Sequence, residues 1–258
     1  MSWFTERRRR RLKDAPFPAE WSAIIDRNVP YQRLLSEVDR RELRGDVQVF
    51  LAEKTFEGCG GLRVTDEIRV TIAAQACLLL LHRETDDYPL LRSILVYPSA
   101  YVAPVTESAG QGVIRKDVSV RLGESWQRGC VVLSWDDVLR GAADVGDGQN
   151  VVLHEFAHQL DQESGGPGGA PVLPRRSMYV AWARVLGAEY VQLRKDSACG
   201  RKNILDKYGA TNPAEFFAVA TECFFEKGAA LRLVHPELYE ELKLYYRQDP
   251  AEFRAQGS

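Results

Sequence analysis

A chain of 258 residues that is 45% hydrophobic can bury a full core, as one large domain or two closely packed ones. Its formal net charge of −2 provides no whole-molecule attraction to nucleic acid. The five cysteines (Cys59, Cys77, Cys130, Cys199, Cys223) are odd in number and scattered, with no CxxC pair. That pattern excludes a disulfide framework and a cysteine zinc site, and suits a reducing compartment.

The N-terminal stretch MSWFTERRRRRLKDAPFP carries a basic run, Arg7–Arg11, with no apolar segment behind it. A secretory leader needs that segment, so a cytoplasmic protein is expected. The run itself reads as part of a loose, solvated terminal segment over residues 1–20, and it supports no nucleic-acid or membrane partner. From Trp21 to Phe56 apolar residues recur at helical intervals (Ile24, Ile25, Leu34, Leu35, Val38, Leu43, Val47, Phe50), which predicts helices. A Gly-rich turn follows at Gly58–Gly61. Thr65 is then placed to cap a helix whose first turn holds Asp66 and Glu67, as the helix dipole favours. That helix runs through Ile72–Leu81, an apolar run far short of the roughly 20 residues a membrane span requires.

Between Leu91 and Trp135 short β-branched and aromatic runs (ILVYPSAYVAPV, GVIRKDVSVRL, CVVLSW) alternate with Pro and Gly, as strands of a small sheet would. Beyond Asp136 helices are predicted near Asp136–Arg140, Gln149–Gln162, Ser177–Arg194, Pro213–Lys227 and Pro236–Tyr246. The loop Ser164–Pro174 is the clearest flexible segment. The order is helices, then a sheet, then helices: an α+β fold rather than alternating βαβ units. No composition break divides it, so residues 1–258 read as a single domain.

The chemistry concentrates in VVLHEFAHQLD, residues 151–161, which holds two of the chain's four histidines. On a helix, residues four apart share a face, so His154 and His158 can present two imidazole nitrogens to one ion. Glu155 lies about a quarter-turn away, placed to take a proton from a water that the ion activates rather than to ligate. Asn150 is the expected N-cap. A third ligand must come from elsewhere. His82 closes a buried helix and His235 precedes a proline, so a carboxylate is the better candidate. Glu215 and Glu222, seven residues apart in KYGATNPAEFFAVATECFFE, share a face of one helix. Asn212-Pro213-Ala214-Glu215 also fits a capping box, and Glu222 also fits an acid behind the ligands, so spacing leaves both open. Asp161, on the face of His154 and His158, fits an acceptor that fixes an imidazole's orientation and equally fits a solvated acid near the helix end, so spacing leaves both open. The strand Val131–Trp135 is expected at a sheet edge, where it could align an extended peptide.

At these residues the chain resembles the Mlc titration factor A family of bacterial zinc-dependent peptidases. The resemblance runs from about Trp21 to Tyr246, through FEGCGGLRVTDEIRVTIAAQACLLLL, LRSILVYPSAYV, VVLSWDDVLRGA, NVVLHEFAHQLD and YGATNPAEFFAVATECFF. The family's catalytic domain is in turn similar to that of anthrax lethal factor. The resemblance implies a mainly helical, zincin-like metallopeptidase domain with a small mixed β-sheet and an HExxH active-site helix. It implies one zinc ion held by His154, His158 and Glu215, with Glu155 as general base. It also implies Tyr208, seven residues before Glu215, as donor to the developing oxyanion. Aminopeptidase-like action on peptide substrates is expected, with a link to glucose phosphotransferase regulation through an Mlc-like transcriptional repressor. The alternative it implies is a regulatory protein whose main role is to bind and sequester that repressor.

Overall fold

The computed structural model describes residues 3–83, 88–99, 129–165 and 168–253, and the backbone alone of strands at 101–109, 113–121 and 123–126. The basic run is not loose: it lies in helix α1 (Trp3–Lys13), which packs on α3 (Glu37–Glu53). One cation of the run meets an acid there, Arg9 Nη2 at 2.6 Å from Glu53 Oε2, and beyond the run Lys13 Nζ lies 2.5 Å from Asp46 Oδ1; Arg7, Arg8, Arg10 and Arg11 are exposed. Gln48 Nε2 on α3 donates to the carbonyls of Leu12 and Ala15, closing the end of α1. Between them run α2 (Ala19–Asn28) and a 3-10 turn at Pro30–Leu34.

The helix predicted to reach Phe56 stops at Glu53, and Thr55–Gly58 form strand β1. β-branched Thr55 and aromatic Phe56 suit a pleated, half-buried edge better than a helix end. Thr65 Oγ1 caps α4 (Asp66–Leu78) by accepting from Ile68 N, as expected. Every residue from Val70 to Leu81 is buried, so α4 is enclosed beyond its first turn, and its two polar residues there, Thr71 and Gln75, are hydrogen-bonded inside. The chain then returns as β2 (Ser93–Tyr97), parallel to β1. Thus β1–α4–β2 is a βαβ unit, which the reading of separate helical and sheet blocks missed. A parallel pair needs such a crossover, and α4 supplies it.

Strands β3 (Tyr101–Ala109) and β4 (Val113–Arg121) form an antiparallel hairpin of their own. β5 (Gly123–Trp126) and β6 (Cys130–Ser134) rejoin the main sheet, whose order is β1-β2-β6-β5. Its first three strands are parallel and β5 is antiparallel to β6, so the sheet is mixed. The expectation that Val131–Trp135 forms an edge is therefore corrected. β6 is interior, paired on both sides, with Val131, Val132 and Leu133 buried, and the edge beyond it is β5.

Helices fill the rest: α5 (Trp135–Ala143), α6 (Val151–Gln162), α7 (Met178–Ala198), α8 (Pro213–Glu226), α9 (Gly228–Val234) and α10 (Pro236–Tyr246). Phe156 on α6 packs into the core, its ring 5.7 Å from that of Phe50 on α3 and 4.9 Å from that of Tyr88. Truncating such a buried ring costs about 3–5 kcal/mol. α6 packs along α8, itself buried on nearly every residue, and this pair carries the site. No helix among the described residues is long and apolar enough to cross a membrane.

Candidate metal centre

Asn150 starts α6: its Oδ1 accepts from Val152 N and Leu153 N, both at 3.1 Å. One turn in, His154 and His158 project from the same face and bring their Nε2 atoms to 3.2 Å. Asn212 starts α8 in the same way, its Oδ1 accepting from Glu215 N at 2.9 Å with Pro213 at the first helical position. That cap places Glu215 in the first turn, facing α6. The carboxylate does not close a capping box. Its Oε2 lies 3.0 Å from His154 Nε2 and 3.3 Å from His158 Nε2.

These three separations test the donor set. Ligands about 2.0–2.1 Å from a tetrahedral zinc are about 3.3 Å from one another. Two imidazole nitrogens and a carboxylate oxygen at 3.0, 3.2 and 3.3 Å form a triangle of that size, of the donor types zinc takes. His154, His158 and Glu215 thus constitute a group able to hold a metal ion. The electrostatics agree. Burial works against charge on the His154 ring, yet hydrogen bonds to Glu215 and Glu222 outweigh it and raise its pKa to about 10. Burial likewise pushes Glu215 up, but its bonds to His154 and His158 hold it at about 2. The cluster therefore favours positive charge where the Nε2 atoms meet Glu215, and a proton and a metal ion compete for those lone pairs.

Glu222, left level with Glu215 by spacing, goes to the other side of the ring. Its Oε1 is 2.7 Å from His154 Nδ1 and its Oε2 accepts from Asn150 N at 2.6 Å. Glu155 is buried beside the histidines, and burial raises its pKa to about 7. Its Oε2 has no hydrogen-bond partner among the described residues.

Tyr208 sits in a 3-10 turn, Lys207–Ala210, fixed by Asp206 Oδ1 accepting from Tyr208 N. Its half-exposed ring lies 5.9 Å from that of His154. Gly209 allows this approach. A Cβ there would meet Leu193 Cδ2 at 3.2 Å, Val219 Cβ at 3.3 Å and Phe216 Cα at 3.4 Å, pushing the turn off α8. Nothing in the spacing of the sequence singles out Tyr208; only the resemblance does.

Asp161 fills neither role that spacing left open. It is fully buried, but its oxygens accept from the amides of Gly168, Gly169 and Ala170 at 2.8–2.9 Å rather than orienting an imidazole. The same bonds correct the view of Ser164–Pro174 as flexible at its centre, since Trp182 Nε1 also donates to Gly169 O. The other histidines have partners of their own: His82 with Asp39 and Glu42, and His235 with Glu189 and Asn203.

Comparison with known proteins adds an independent line. A family model described as glucose-regulated metallo-peptidase M90 matches residues 3–247. An uncharacterized protein of Synechocystis sp. is 42% identical over 244 residues, covering 94% of this chain and 89% of its own. Mlc titration factor A of Serratia proteamaculans is 34% identical over 223 residues, 84% of each chain. Mlc titration factor A of Yersinia pestis is 30% identical over 235 residues, 90% of this chain and 85% of its own.

Proposed function

The chain belongs to the glucose-regulated metallo-peptidase M90 family, alongside the Mlc titration factor A proteins, and from that premise we propose that it is a zinc-dependent, aminopeptidase-like peptidase with its site between α6 and α8. The observation that carries this reading is the triangle of His154 Nε2, His158 Nε2 and Glu215 Oε2. In it those three residues hold one zinc ion. Three protein ligands leave a fourth position open, as catalytic rather than structural zinc sites do. Zinc bound there would supply Lewis acidity to a water and to the scissile carbonyl. Glu155 takes the proton of the attacking water and returns it to the leaving nitrogen. Tyr208 donates its hydroxyl to the oxyanion as the carbonyl carbon becomes tetrahedral. The unbroken hydrophobic core supports a single metallopeptidase domain.

Peptides matched in sequence, with free and with acetylated N-termini, test the reading. Chelation should stop hydrolysis and zinc restore it, with the free-amine peptides cut faster. Preference for the acetylated series would remove the aminopeptidase assignment, and activity indifferent to chelation would remove the metal.

A second reading rests on the name Mlc titration factor A borne by relatives: a cytoplasmic regulator that binds an Mlc-like repressor. A variant lacking both His154 and His158 separates the two. Repressor capture without hydrolysis supports a binding role independent of the chemistry.

A further inference from the structure

We propose that Glu222 is a positioning residue that fixes the tautomer and orientation of His154 and, through Asn150, ties the metal centre to the start of α6. The inference rests on the metal site proposed above. A neutral imidazole carries one proton, and which nitrogen holds it decides whether the other can bind a cation. An ionised carboxylate only accepts. With Glu222 Oε1 2.7 Å from His154 Nδ1, the proton belongs on Nδ1 and the lone pair on Nε2, the atom that faces Glu215 and His158. The opposite tautomer would place a proton in the middle of the triangle.

A single contact would leave the carboxylate free to swing. Its second oxygen removes that freedom by accepting from the backbone amide of Asn150 at 2.6 Å. Asn150 is itself fastened on every side. Its Oδ1 caps α6, and its Nδ2 lies 3.0 Å from Gln75 Oε1 on α4, 3.2 Å from Gly141 O on α5 and 3.1 Å from Glu226 Oε1 on α8. The bracket therefore joins four helices, is almost wholly buried, and ends on one ring nitrogen. Glu226, one turn further along α8, engages Asn150 Nδ2 and Gln149 N and braces the bracket without touching His154. Of the two buried acids on α6, Asp161 is committed to the Gly168–Ala170 amides and Glu155 makes no hydrogen bond to His154 Nδ1. Among the described residues Glu222 alone serves this nitrogen.

The test uses the full chain as wild type, Glu222→Ala, Glu222→Gln and His154→Ala, each stripped of metal and titrated with zinc against a chromophoric chelator. Zinc affinity should fall about 10–100-fold in Glu222→Ala, the usual cost of losing a partner behind a ligand. Glu222→Gln should fall less, because its amide oxygen can still accept from Nδ1. A purely structural acid would lower the melting temperature of the metal-free protein and leave the affinity of the folded fraction alone. NMR of the zinc-loaded, ¹⁵N-histidine-labelled protein gives a readout independent of affinity. Wild type should show a slowly exchanging proton on His154 Nδ1, and Glu222→Ala a fast one. Zinc affinity in folded Glu222→Ala within threefold of wild type, or a His154 proton on Nε2, would overturn the inference. Equal and negligible zinc binding by wild type and His154→Ala would overturn the metal site itself, which is a different result from a tight wild type matched by Glu222→Ala.

Discussion

Glu215 Oε2 lies 3.0 Å from His154 Nε2, although 61 residues separate the two in sequence. The contact depends on two asparagine caps, Asn150 on α6 and Asn212 on α8, which set where each helix begins and so which residue falls in its first turn. Replacing Glu215 with Ala should therefore remove a proposed ligand without disturbing either cap. Zinc affinity is expected to fall at least 100-fold, more than for Glu222→Ala, as measured by chelator competition. A larger loss for Glu222→Ala would reverse the roles assigned to the two acids.

Tyr208 should matter to turnover more than to structure, because its ring is half exposed and its turn is held by Asp206 and Gly209. Tyr208→Phe removes only the hydroxyl. Steady-state kinetics should show kcat down about 100-fold with KM little changed, the pattern of a donor engaged in the transition state. A raised KM with kcat intact would make Tyr208 a binding contact instead.

Asp161→Ala should loosen a loop and spare the metal. Three backbone amides lose their acceptor, which costs about 3 kcal/mol if each net bond contributes about 1 kcal/mol. Hydrogen exchange at Gly168, Gly169 and Ala170 should accelerate while zinc affinity stays within a few-fold. Lost affinity with unchanged exchange would return Asp161 to the histidines.

Glu226 should make stability depend on pH. Burial raises its pKa from 4.5 to about 8, outweighing its bonds from Asn150 and Gln149. Below 4.5 the group is protonated in both states. Between 4.5 and about 8 the unfolded chain releases the proton and the fold keeps it, so its contribution to stability falls as pH rises through that window, at up to about 1.4 kcal/mol per pH unit. Glu226→Gln should flatten that slope, matching wild type near pH 4 and exceeding it near pH 8. Urea unfolding of metal-free protein across pH 5–8 measures this. Parallel slopes would contradict it.

The parts of this molecule legible in its sequence are those fixed over one or two helical turns. His154 and His158 share a face because they are four apart, and Thr65 and Asn150 cap the helices that follow them. Features that depend on distant partners were not legible. β1 is four residues long and gains its identity only by pairing with β2 across α4. The basic run is solvated as expected at Arg7, Arg8, Arg10 and Arg11, but that Arg9 turns to Glu53 of α3 depends on a residue 44 positions away. Asp161 shares the histidine face, but spacing cannot say that a glycine loop will present three amides to it first. Glu215 and Glu222 are two turns apart on one face, so only the position of α6 between them decides that one meets Nε2 and the other Nδ1.

The most direct measurement pairs zinc content with peptide hydrolysis in wild type and Glu155→Gln. Glu155 carries the proton in the proposed reaction and is not among the proposed ligands, and Gln keeps its size in a buried position. One zinc per chain is expected in both proteins, with hydrolysis in the variant lower by about 100- to 10,000-fold, the range that a positioned general base contributes. A zinc-loaded Glu155→Gln variant that hydrolyses peptides within tenfold of wild type would contradict the account.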